Sequence, residues 1–432
     1  MRWTPQEYAG WGRALRARGE VARPQNPDDL LASETAPAFG MRRSYGDAAL
    51  NSGGRAIDMS QLDRMLSFDP ESGELHVEAG ARIGDIAAAF AQRGWLPAVM
   101  PGTGFATVGG CIGQDVHGKN HHLLGSFSEH VAEITLIQQG GPVRVTPGSA
   151  LFRATAGGLG QTGVITSARL RMRPCKGDVM IVTERRAADW DEHVALLDAS
   201  RATYTVGWID ATATGAALGR GIVEEGESGA GLVRQRDKAR RVPMDAPHFA
   251  LAAPIVQVFN WAYYHRVPAR GRTLVKPMAD FFFPLDKIHD WNRLYGRRGF
   301  HQFQCVVPLA AVSELRAMLD EIASSGLASP LAVLKRMGPG RAGYLSFPME
   351  GYTLAVDFPN RDAARALIKR LEARTADAGG RLYFAKDSLA EGAQIRAMYP
   401  ELSDWQKEVA KADPQGAYVT DLIRRLQLRT TT

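Results

Sequence analysis

Glycines, a lysine and three histidines stand close together in residues 111–126, which read CIGQDVHGKNHHLLGS. The stretch from Gly113 to Lys119 has the spacing of a phosphate-binding loop. Such a loop needs Ser or Thr after the lysine, because that hydroxyl binds the magnesium ion of the nucleotide. Asn120 stands there instead, and the preceding FATVGGCIGQ is too small and glycine-rich for a buried strand. The pattern therefore disfavours an NTPase.

The three histidines of this stretch, His117, His121 and His122, are of a type that ligates metals. No carboxylate or cysteine cluster accompanies them at ligand spacing, and Gly118 disfavours the helix that would align two of them. We predict no metal site and interpret the histidines as structural or cofactor-contacting.

A second glycine pattern, GLGQTG at residues 158–163, satisfies G-x-G-x-x-G. A dinucleotide fingerprint of this kind must open a helix after a strand. The next residues along the chain, VITSARLRMRP, have an alternating strand pattern that ends in proline. The context therefore argues against a Rossmann fold.

Glycine-rich turns recur at residues 39–47, 100–110, 115–126 and 156–165. Each alone can be a tight turn. Glycine also lets backbone N–H groups approach a ligand closely, so several such turns together can cradle an extended diphosphate cofactor. Their accumulation favours cofactor binding through main-chain donors.

Composition describes a globular chain of two or three domains, with 432 residues and 45% hydrophobic residues. The 52 Lys and Arg residues are interspersed with 46 Asp and Glu residues, which predicts a solvated surface and no nucleic-acid partner. Three scattered cysteines, an N-terminus without a signal-peptide core and no apolar run of spanning length predict a cytoplasmic protein. Peripheral membrane contact stays open.

The elements that must position these loops are predicted from hydrophobic periodicity. We predict helices over residues 5–18 and 82–95, and strands at RAIDMS, GELHVEAGA, VAEITLIQQ, VRVTP and VITSARLRMRP. After Pro174 the chain mixes strands such as TYTVGWIDAT and YTLAVDFP with helices such as AVSELRAMLDEIASSG and RDAARALIKRLEART. This pattern predicts an α+β protein.

Two segments carry open alternatives. The apolar residues 249–266, FALAAPIVQVFNWAYYHR, predict a buried core segment, with a hydrophobic lid or lipid-facing loop as the alternative. The basic run 232–243, LVRQRDKARRVP, is typical of a solvated loop or helix face, or of a segment that contacts phosphates or an anionic membrane.

Five motifs together resemble the vanillyl-alcohol-oxidase-type flavoproteins with a PCMH-type FAD-binding domain, and among them the oxidases of polyprenyl-phosphoryl-ribose. The motifs are GMRRSYGD, PGTGFATVGGCIGQDVHGKNHH, GGLGQTGVI, RLYFAKDS and DPQGAYVTDLIRRLQL. The resemblance covers the chain from about residue 35 to the end, and HGKNHH with AKDS is its most specific part.

The resemblance implies a two-segment FAD-binding domain and an α+β substrate domain with a mostly antiparallel sheet. We expect the FAD-binding domain at residues 1–176, the substrate domain at 177–380, and a C-terminal segment, 381–432, that returns to the FAD-binding domain.

The resemblance also implies site residues. Tyr45 stands where relatives with covalently bound flavin carry the linking histidine, so FAD is expected to bind non-covalently. The implied cofactor-binding residues are Gly40, Arg43, Ser44, Tyr45, Gly46, Pro101, Gly102, Thr103, Gly109, Gly110, Asp115, His117, Gly118, Asn120, Ser126, Gly163, Ile165, Tyr383 and Lys386. The implied substrate-binding residues are Gln302, Gln304, Lys335, Thr353, Tyr383 and Trp208.

Lys386 and His117 are the expected catalytic residues. A cation such as Lys386 beside the flavin suits the negative charge that develops on reduction. The pKa range of His117 suits proton handling, and a structural role for it is an equal alternative. Gln302 and Gln304 share a face because alternate residues of a strand point the same way.

The sequence departs from the resemblance at Arg42, where the family usually has glycine. Thr353 and Ala355 likewise stand where the mycobacterial members of this family have Asn and Cys.

The implied reaction is FAD-dependent oxidation of a secondary sugar hydroxyl, at the C2′ carbon of a polyprenyl-phosphoryl-β-D-ribose. A separate short-chain reductase would complete conversion to the arabinose donor used in cell wall biogenesis. The alternatives are an oxidase of a soluble sugar, alditol or aldonolactone, and a non-enzymatic flavin-binding scaffold.

Overall fold

Three β-sheets organise the computed structural model, which describes residues 1–31, 35–231 and 239–429. The first sheet contains β1 (Thr4–Ala9), β2 (Arg16–Ala22), β3 (Ala38–Phe39) and β4 (Arg55–Asp58), in the order β1-β2-β4-β3. The second contains β5 (Met65–Asp69), β6 (Glu74–Glu78), β7 (Trp95–Pro97), β8 (Val131–Gln138), β9 (Gly141–Val145) and β10 (Val164–Pro174). Its order is β5-β6-β10-β8-β9, and β7 also pairs with β10.

The remaining strands belong to the third sheet and to a small two-stranded pair. They are β11 (Val179–Ala187), β12 (Tyr204–Ile209), β13 (Gly221–Gly229), β14 (Arg240–Arg241), β15 (Arg272–Pro277), β16 (Ile288–His289), β17 (Phe300–Pro308), β18 (Ala332–Met337), β19 (Gly351–Pro359) and β20 (Arg381–Leu382). The third sheet is antiparallel, in the order β15-β11-β13-β12-β18-β19-β17-β20, while β14 pairs with β16. These sheets confirm the predicted α+β fold.

Helices cover the sheets and carry the loops between them. They are α1 (Asp28–Leu31), α2 (Ile83–Phe90), α3 (Val108–Gly113), α4 (His121–Leu124), α5 (Ala150–Thr155), α6 (Trp190–Ala199), α7 (Ala253–His265), α8 (Met278–Phe282), α9 (Val312–Ser325), α10 (Asp362–Asp377), α11 (Gly392–Met398), α12 (Leu402–Ala412) and α13 (Asp421–Leu426). No helix in the described ranges has the length and apolarity needed to cross a bilayer.

The predicted helix over residues 5–18 is wrong, because β1 and β2 form an antiparallel hairpin there. Gly10 and Gly12 interrupt any helix, and the chain at Gly10 passes so close to the first glycine loop that a Cβ would lie 2.2 Å from the Gly46 carbonyl oxygen. Backbone bonds to neighbouring strands, including the parallel pairing of β2 with β4, replace those of a helix.

The core of the third sheet explains why its other face is free to carry polar groups. Leu315, Met318 and Ile322 recur at helical spacing on α9 and are fully buried. They join Leu354 and Phe358 of β19 in the same hydrophobic cluster. Because successive strand residues point to opposite faces, the alternate positions of β17 and β19 face away from this core.

The C-terminal segment contacts the N-terminal loops directly. Arg425 bonds Asp47 at 2.7 Å and Asp387 at 2.9 Å. The Gln161 amide donates to the Tyr418 carbonyl at 2.6 Å. The domain boundaries after residues 176 and 380 remain a prediction. β20, the first two residues of the predicted C-terminal segment, pairs with β17 of the predicted substrate domain.

The prediction of a buried core segment at residues 249–266 is wrong. These residues form a short 3-10 turn and α7, and Phe249, Val258, Phe259 and Trp261 are exposed. Only one narrow stripe of the helix, with Val256 at its centre, packs on the protein. Most of the basic run 232–243 lies outside the described residues.

Candidate active site

A cavity of about 830 Å³ lies among the glycine-rich loops, the third sheet and the start of the C-terminal segment. Its volume is ordinary for a ligand site, about 300–1,000 Å³. Eight lysines or arginines line it against three carboxylates, so it suits an anionic ligand. The cations are Arg42, Arg43, Lys119, Arg266, Lys276, Lys287, Lys335 and Lys386, and the acids are Glu224, Asp280 and Asp286.

Most of the predicted site residues meet at this cavity, although their loops are far apart in sequence. Those that line it are Gly40, Arg43, Ser44, Tyr45, Pro101, Gly102, Thr103, Gly109, Gly110, His117, Gly118, Gly163, Ile165, Trp208, Gln302, Gln304, Lys335, Thr353, Tyr383 and Lys386.

Four predicted cofactor residues do not line the cavity but brace its loops from behind. A Cβ at Gly46 would lie 1.9 Å from a carbonyl oxygen of the C-terminal segment. Asp115 accepts hydrogen bonds from two backbone amides at 3.0 and 3.2 Å. Asn120 donates to a backbone carbonyl at 2.8 Å, and the Ser126 amide donates to the Glu129 carboxylate at 2.8 Å. Their placement assigns them to loop geometry.

Glycine allows the first two loops to touch. A Cβ at Gly40 would lie 2.2 Å from Thr107 Oγ1. That same oxygen accepts a hydrogen bond from the Gly110 amide at 3.2 Å and caps α3. The contact places the backbone of both loops on one wall of the cavity.

The histidine trio does not converge on a metal. Among the described residues no group of three or more His, Cys, Asp or Glu side chains has a metal-holding arrangement. His121 Nδ1 accepts from the Gly338 amide at 3.2 Å, and His122 Nε2 lies 3.1 Å from the Ala202 carbonyl. Only His117 lines the cavity.

Lys386 enters the cavity from a tight turn at the start of the C-terminal segment. Its amide donates to the Tyr383 carbonyl at 2.8 Å, and the Tyr45 amide donates to the Ala385 carbonyl at 2.7 Å. These bonds place Lys386 Nζ 3.5 Å from the centroid of the Tyr45 ring. Burial lowers the pKa of Lys386, and the Asp357 charge opposes that effect.

No carboxylate of the described ranges lies within 4.0 Å of Lys386 Nζ. A buried ammonium without a paired carboxylate is costly in a folded protein. Its position on the cavity wall therefore suits the binding of a negative charge from a ligand.

Asp357 anchors a polar part of the cavity wall. Its Oδ1 accepts a short hydrogen bond from Gln302 Nε2, and its Oδ2 accepts from the Tyr295 hydroxyl at 3.1 Å. Gln302 and Asp357 are directly opposed on β17 and β19, which explains the contact. Burial raises the pKa of Asp357. The carboxylate fixes Gln302, whose side chain lines the cavity.

His117 is held between a lysine and a glutamine. Lys335 Nζ lies 2.9 Å from its Nδ1, and the Gln304 amide lies 3.0 Å from its Nε2. Burial, reinforced by the Lys335 charge, holds the pKa of His117 well below its ordinary value, so the ring is neutral. With Lys335 donating to Nδ1, the ring proton lies on Nε2, and Gln304 must turn its amide oxygen toward it.

Lys335 is poised to exchange a proton near neutral pH. Burial lowers its pKa to about 7, with smaller contributions from Lys119 and Lys386. It lies opposite Thr353 on the neighbouring strand, so both side chains reach the same wall.

Lys119 lies in another cationic region of the cavity, in addition to the one around Lys335 and Lys386. Its Nζ donates to the Phe281 carbonyl at 2.6 Å and lies 3.9 Å from Glu224. Burial lowers the pKa of Lys119 to about 8. Beside it, Lys276 and Arg266 share the buried carboxylate of Glu184. This region was not predicted as part of the site.

The cavity wall also fits FAD in its unpaired polar atoms. Arg43 Nε and Gln114 Oε1 are buried without a hydrogen-bond partner among the described residues. Buried polar groups are nearly always bonded in native proteins, so both indicate a polar ligand. The Arg43 guanidinium is fixed 4.0 Å from the Trp11 ring centroid and 4.4 Å from that of Phe105. FAD offers the required combination of diphosphate anion and hydrogen-bonding ring edges.

Similarity to known proteins also indicates FAD binding. A family model for the FAD binding domain matches residues 35–146. The chain is 37% identical over 453 aligned residues to decaprenylphosphoryl-beta-D-ribose oxidase of Mycolicibacterium smegmatis, covering 98% of both chains. It is 34% identical over 357 residues to an uncharacterized protein of Streptomyces coelicolor, covering 78% of this chain and 96% of that protein. It is 25% identical over 143 residues to D-lactate dehydrogenase of Anaerostipes hadrus, covering 31% and 30% of the two chains.

The fold and the cavity define an FAD-binding oxidoreductase. The chain belongs to the PCMH-type FAD-binding oxidoreductases, in the family that includes decaprenylphosphoryl-beta-D-ribose oxidase.

Some site residues were missed by reasoning from the sequence. Asp357 belongs to YTLAVDFP and shares its strand face with Thr353 and Ala355, so strand periodicity could have found it. Lys119 belongs to HGKNHH, which carried the family resemblance, but it was not among the residues that the resemblance implied at the site. Gln114 carried no signal, since its role depends on how two loops meet.

Proposed function

We propose that the protein oxidises the C2′ hydroxyl of a polyprenyl-phosphoryl-β-D-ribose to the 2′-keto sugar. The observation that carries the proposal is that one cavity is lined both by Lys386, buried without a carboxylate partner within 4.0 Å in the described ranges, and by polar side chains fixed by hydrogen bonds. The substrate class, a polyprenyl-phosphoryl-ribose, is the one for which the M. smegmatis relative is named, and that relative aligns with 98% of this chain.

FAD, when bound, supplies the acceptor for the hydride that leaves the sugar carbon. Arg43, Gln114 and the glycine loops hold the cofactor. Lys386 Nζ stabilises negative charge at the redox centre. We propose non-covalent binding because Tyr45 stands where relatives with covalently bound flavin carry the linking histidine, and Cys111, Cys175 and Cys305 do not line the cavity. Both ring nitrogens of His117 are already engaged by Lys335 and Gln304.

The polar wall orients the sugar and removes the hydroxyl proton. Gln302, held by Asp357, and Gln304, held by His117, bind sugar hydroxyls, and Thr353 adds a hydroxyl beside them. Lys335 Nζ, with a pKa of about 7, accepts the proton, and its hydrogen bond to His117 Nδ1 holds it in position. The loss of one hydride and one proton converts the alcohol to a ketone.

The keto sugar then requires a reductase, and we propose a short-chain reductase as the partner that yields the arabinose donor for cell wall biogenesis. We also propose that the enzyme acts at the cytoplasmic side of the membrane, because all three cysteines are free and the substrate is a lipid.

A substrate screen tests the proposal. The purified holoenzyme should lose its visible flavin absorbance when polyprenyl-phosphoryl-ribose is added without oxygen. Preferential bleaching by free alditols or aldonolactones would contradict the lipid-linked substrate and favour an oxidase of soluble substrates. No bleaching by any alcohol, with FAD bound, would favour a flavin-binding scaffold. Acid precipitation should release FAD into the supernatant, and FAD that stays with the protein would contradict non-covalent binding.

A further inference from the structure

One surface of the molecule is apolar, exposed and unused by the site. On α7, Ile255, Val258, Phe259 and Trp261 are 49%, 69%, 50% and 56% exposed. Between Asp245 and Arg266 the sequence contains no Asp, Glu, Lys or Arg. Patches of this kind on soluble proteins mark interaction surfaces. We call these four residues, together with exposed Met244 and Phe249 in the chain that leads into the helix, the α7 apolar surface.

Buried polar groups hold α7 in place. Asn260 Nδ2 donates to Asp210 Oδ1 at 2.7 Å and to Thr212 at 3.3 Å. Asp210 is itself paired with Arg220 at 2.8 Å and is fully buried. The apolar side chains are therefore presented outward on a fixed helix, rather than left over from loose packing.

The same helix borders the cavity. Tyr263 and Arg266, in its last turn and immediately after it, line the cavity. The Tyr263 ring packs on Trp208 with centroids 4.7 Å apart, and Trp208 also lines the cavity. The α7 apolar surface is thus continuous with the wall of the site.

Basic side chains flank the α7 apolar surface in sequence. Arg240 and Arg241 are exposed ahead of it, and Arg270 is exposed after it. Arg241 has an acidic partner, Asp290, at 2.8 Å. Anionic lipid headgroups attract exposed basic groups such as Arg240 and Arg270.

We propose that the α7 apolar surface docks on an anionic lipid bilayer, with the helix in the plane of the interface and the cavity opening beside the hydrocarbon. At 1.5 Å per residue, α7 is about 20 Å long, which is too short to span a bilayer core of about 30 Å. Trp and Tyr suit the interfacial depth. The delivery of a lipid-linked sugar into the cavity rests on the proposed function, while the membrane docking does not.

Vesicle co-sedimentation of the holoenzyme tests the docking without any turnover. We expect binding to equimolar phosphatidylcholine and phosphatidylglycerol vesicles, weaker binding to phosphatidylcholine alone, and loss of binding as salt is raised. The double variant Val258→Ser/Phe259→Ser should bind the mixed vesicles about tenfold or more weakly, since two large apolar groups leave the interface. Met65→Ser/Leu66→Ser, at an exposed apolar pair on β5, is the matched control and should bind as the parent does.

Several results would overturn the docking. The first is that the parent protein binds neither kind of vesicle, and the second is that the α7 double variant binds as well as the parent does. The third is that the parent is a dimer in solution and the α7 double variant is a monomer. The last result would assign the surface to a second copy. Both variants should keep parental FAD content and parental bleaching by a short-chain, water-soluble ribosyl phosphate. Bleaching with no vesicle binding would refute the docking alone, and vesicle binding with no bleaching by any sugar would refute the proposed function alone.

Discussion

Arg425 should be a sensitive charge outside the cavity wall, because it pairs with two buried carboxylates, Asp47 and Asp387, for which the described ranges offer no other cation. The Asp47 and Asp387 side chains are only 6% and 2% exposed, and both bond to it. Arg425→Met leaves the two carboxylates together without their cation. Removing one partner of a buried pair costs about 3–5 kcal/mol. At about 2 °C per kcal/mol, the Tm for FAD release should fall by about 6 °C or more.

The assay is flavin fluorescence on heating, since bound flavin is released on unfolding. Arg370→Met is the matched control, because Arg370 is 60% exposed and its pair with Glu321 should contribute about 0–1 kcal/mol. The triple variant Arg425→Met/Asp47→Asn/Asp387→Asn should recover part of the loss, since no uncompensated charge remains.

The pH dependence gives a second check on the same variant. Burial raises the pKa of Asp47 even with Arg425 present, and removal of Arg425 raises it further. Between the ordinary value of 3.8 and the raised value, the folded variant holds more protons than the unfolded chain, so its stability increases as the pH falls. The deficit relative to the parent should therefore narrow in acid. A Tm within about 2 °C of the parent at neutral pH, or a deficit that widens in acid, would refute the reasoning.

Three further predictions concern the cavity. Lys386→Met should lower the rate of flavin reduction about 100- to 1,000-fold without lowering the Tm of the apoprotein, because it removes both a charge-stabilising group and a buried ammonium; an unchanged reduction rate would contradict its role. kcat/KM should show a rising limb as Lys335 loses its proton and a falling limb as Lys386 loses its own, because burial lowers the pKa of each to about 7. Lys335→Gln should remove the rising limb alone, and a rising limb that persists in this variant would contradict the role of Lys335. Asp357→Asn should lower kcat/KM about ten- to a hundredfold at unchanged FAD content, because an NH2 donor replaces one of the two oxygens that accept from Gln302 and Tyr295. Loss of FAD instead would make Asp357 a cofactor-site residue.

The pattern of apolar residues correctly predicted helices and strands that this pattern alone specifies. The helix predicted at residues 82–95 is present as α2 with a following 3-10 turn, and VITSARLRMRP forms β10. The glycine loops were recognisable because each needs close backbone approach. The helix predicted over residues 5–18 was wrong, since the apolar spacing there fits a helix while the backbone forms the β1–β2 hairpin.

The remaining differences arise from tertiary contacts that periodicity does not encode. The apolar composition of α7 predicts burial of the whole helix. Which of its side chains are buried depends on the residues that pack against it in the fold, and sequence periodicity does not report those contacts. The resemblance predicted Lys386 and His117 at the site, but the pairing of Lys335 with His117, and of Gln302 with Asp357, depends on strand register.

The register of β19 separates two tasks along a single strand. Thr353 and Ala355 point into the cavity, whereas Leu354 and Val356 are buried in the core beneath the sheet. Substitutions at Thr353 and Ala355 can therefore change which sugars are accepted without altering the core that Leu354 and Val356 form. Relatives that differ at just these positions are the natural place to look for new selectivity, and a library restricted to them would explore substrates with little risk of unfolding.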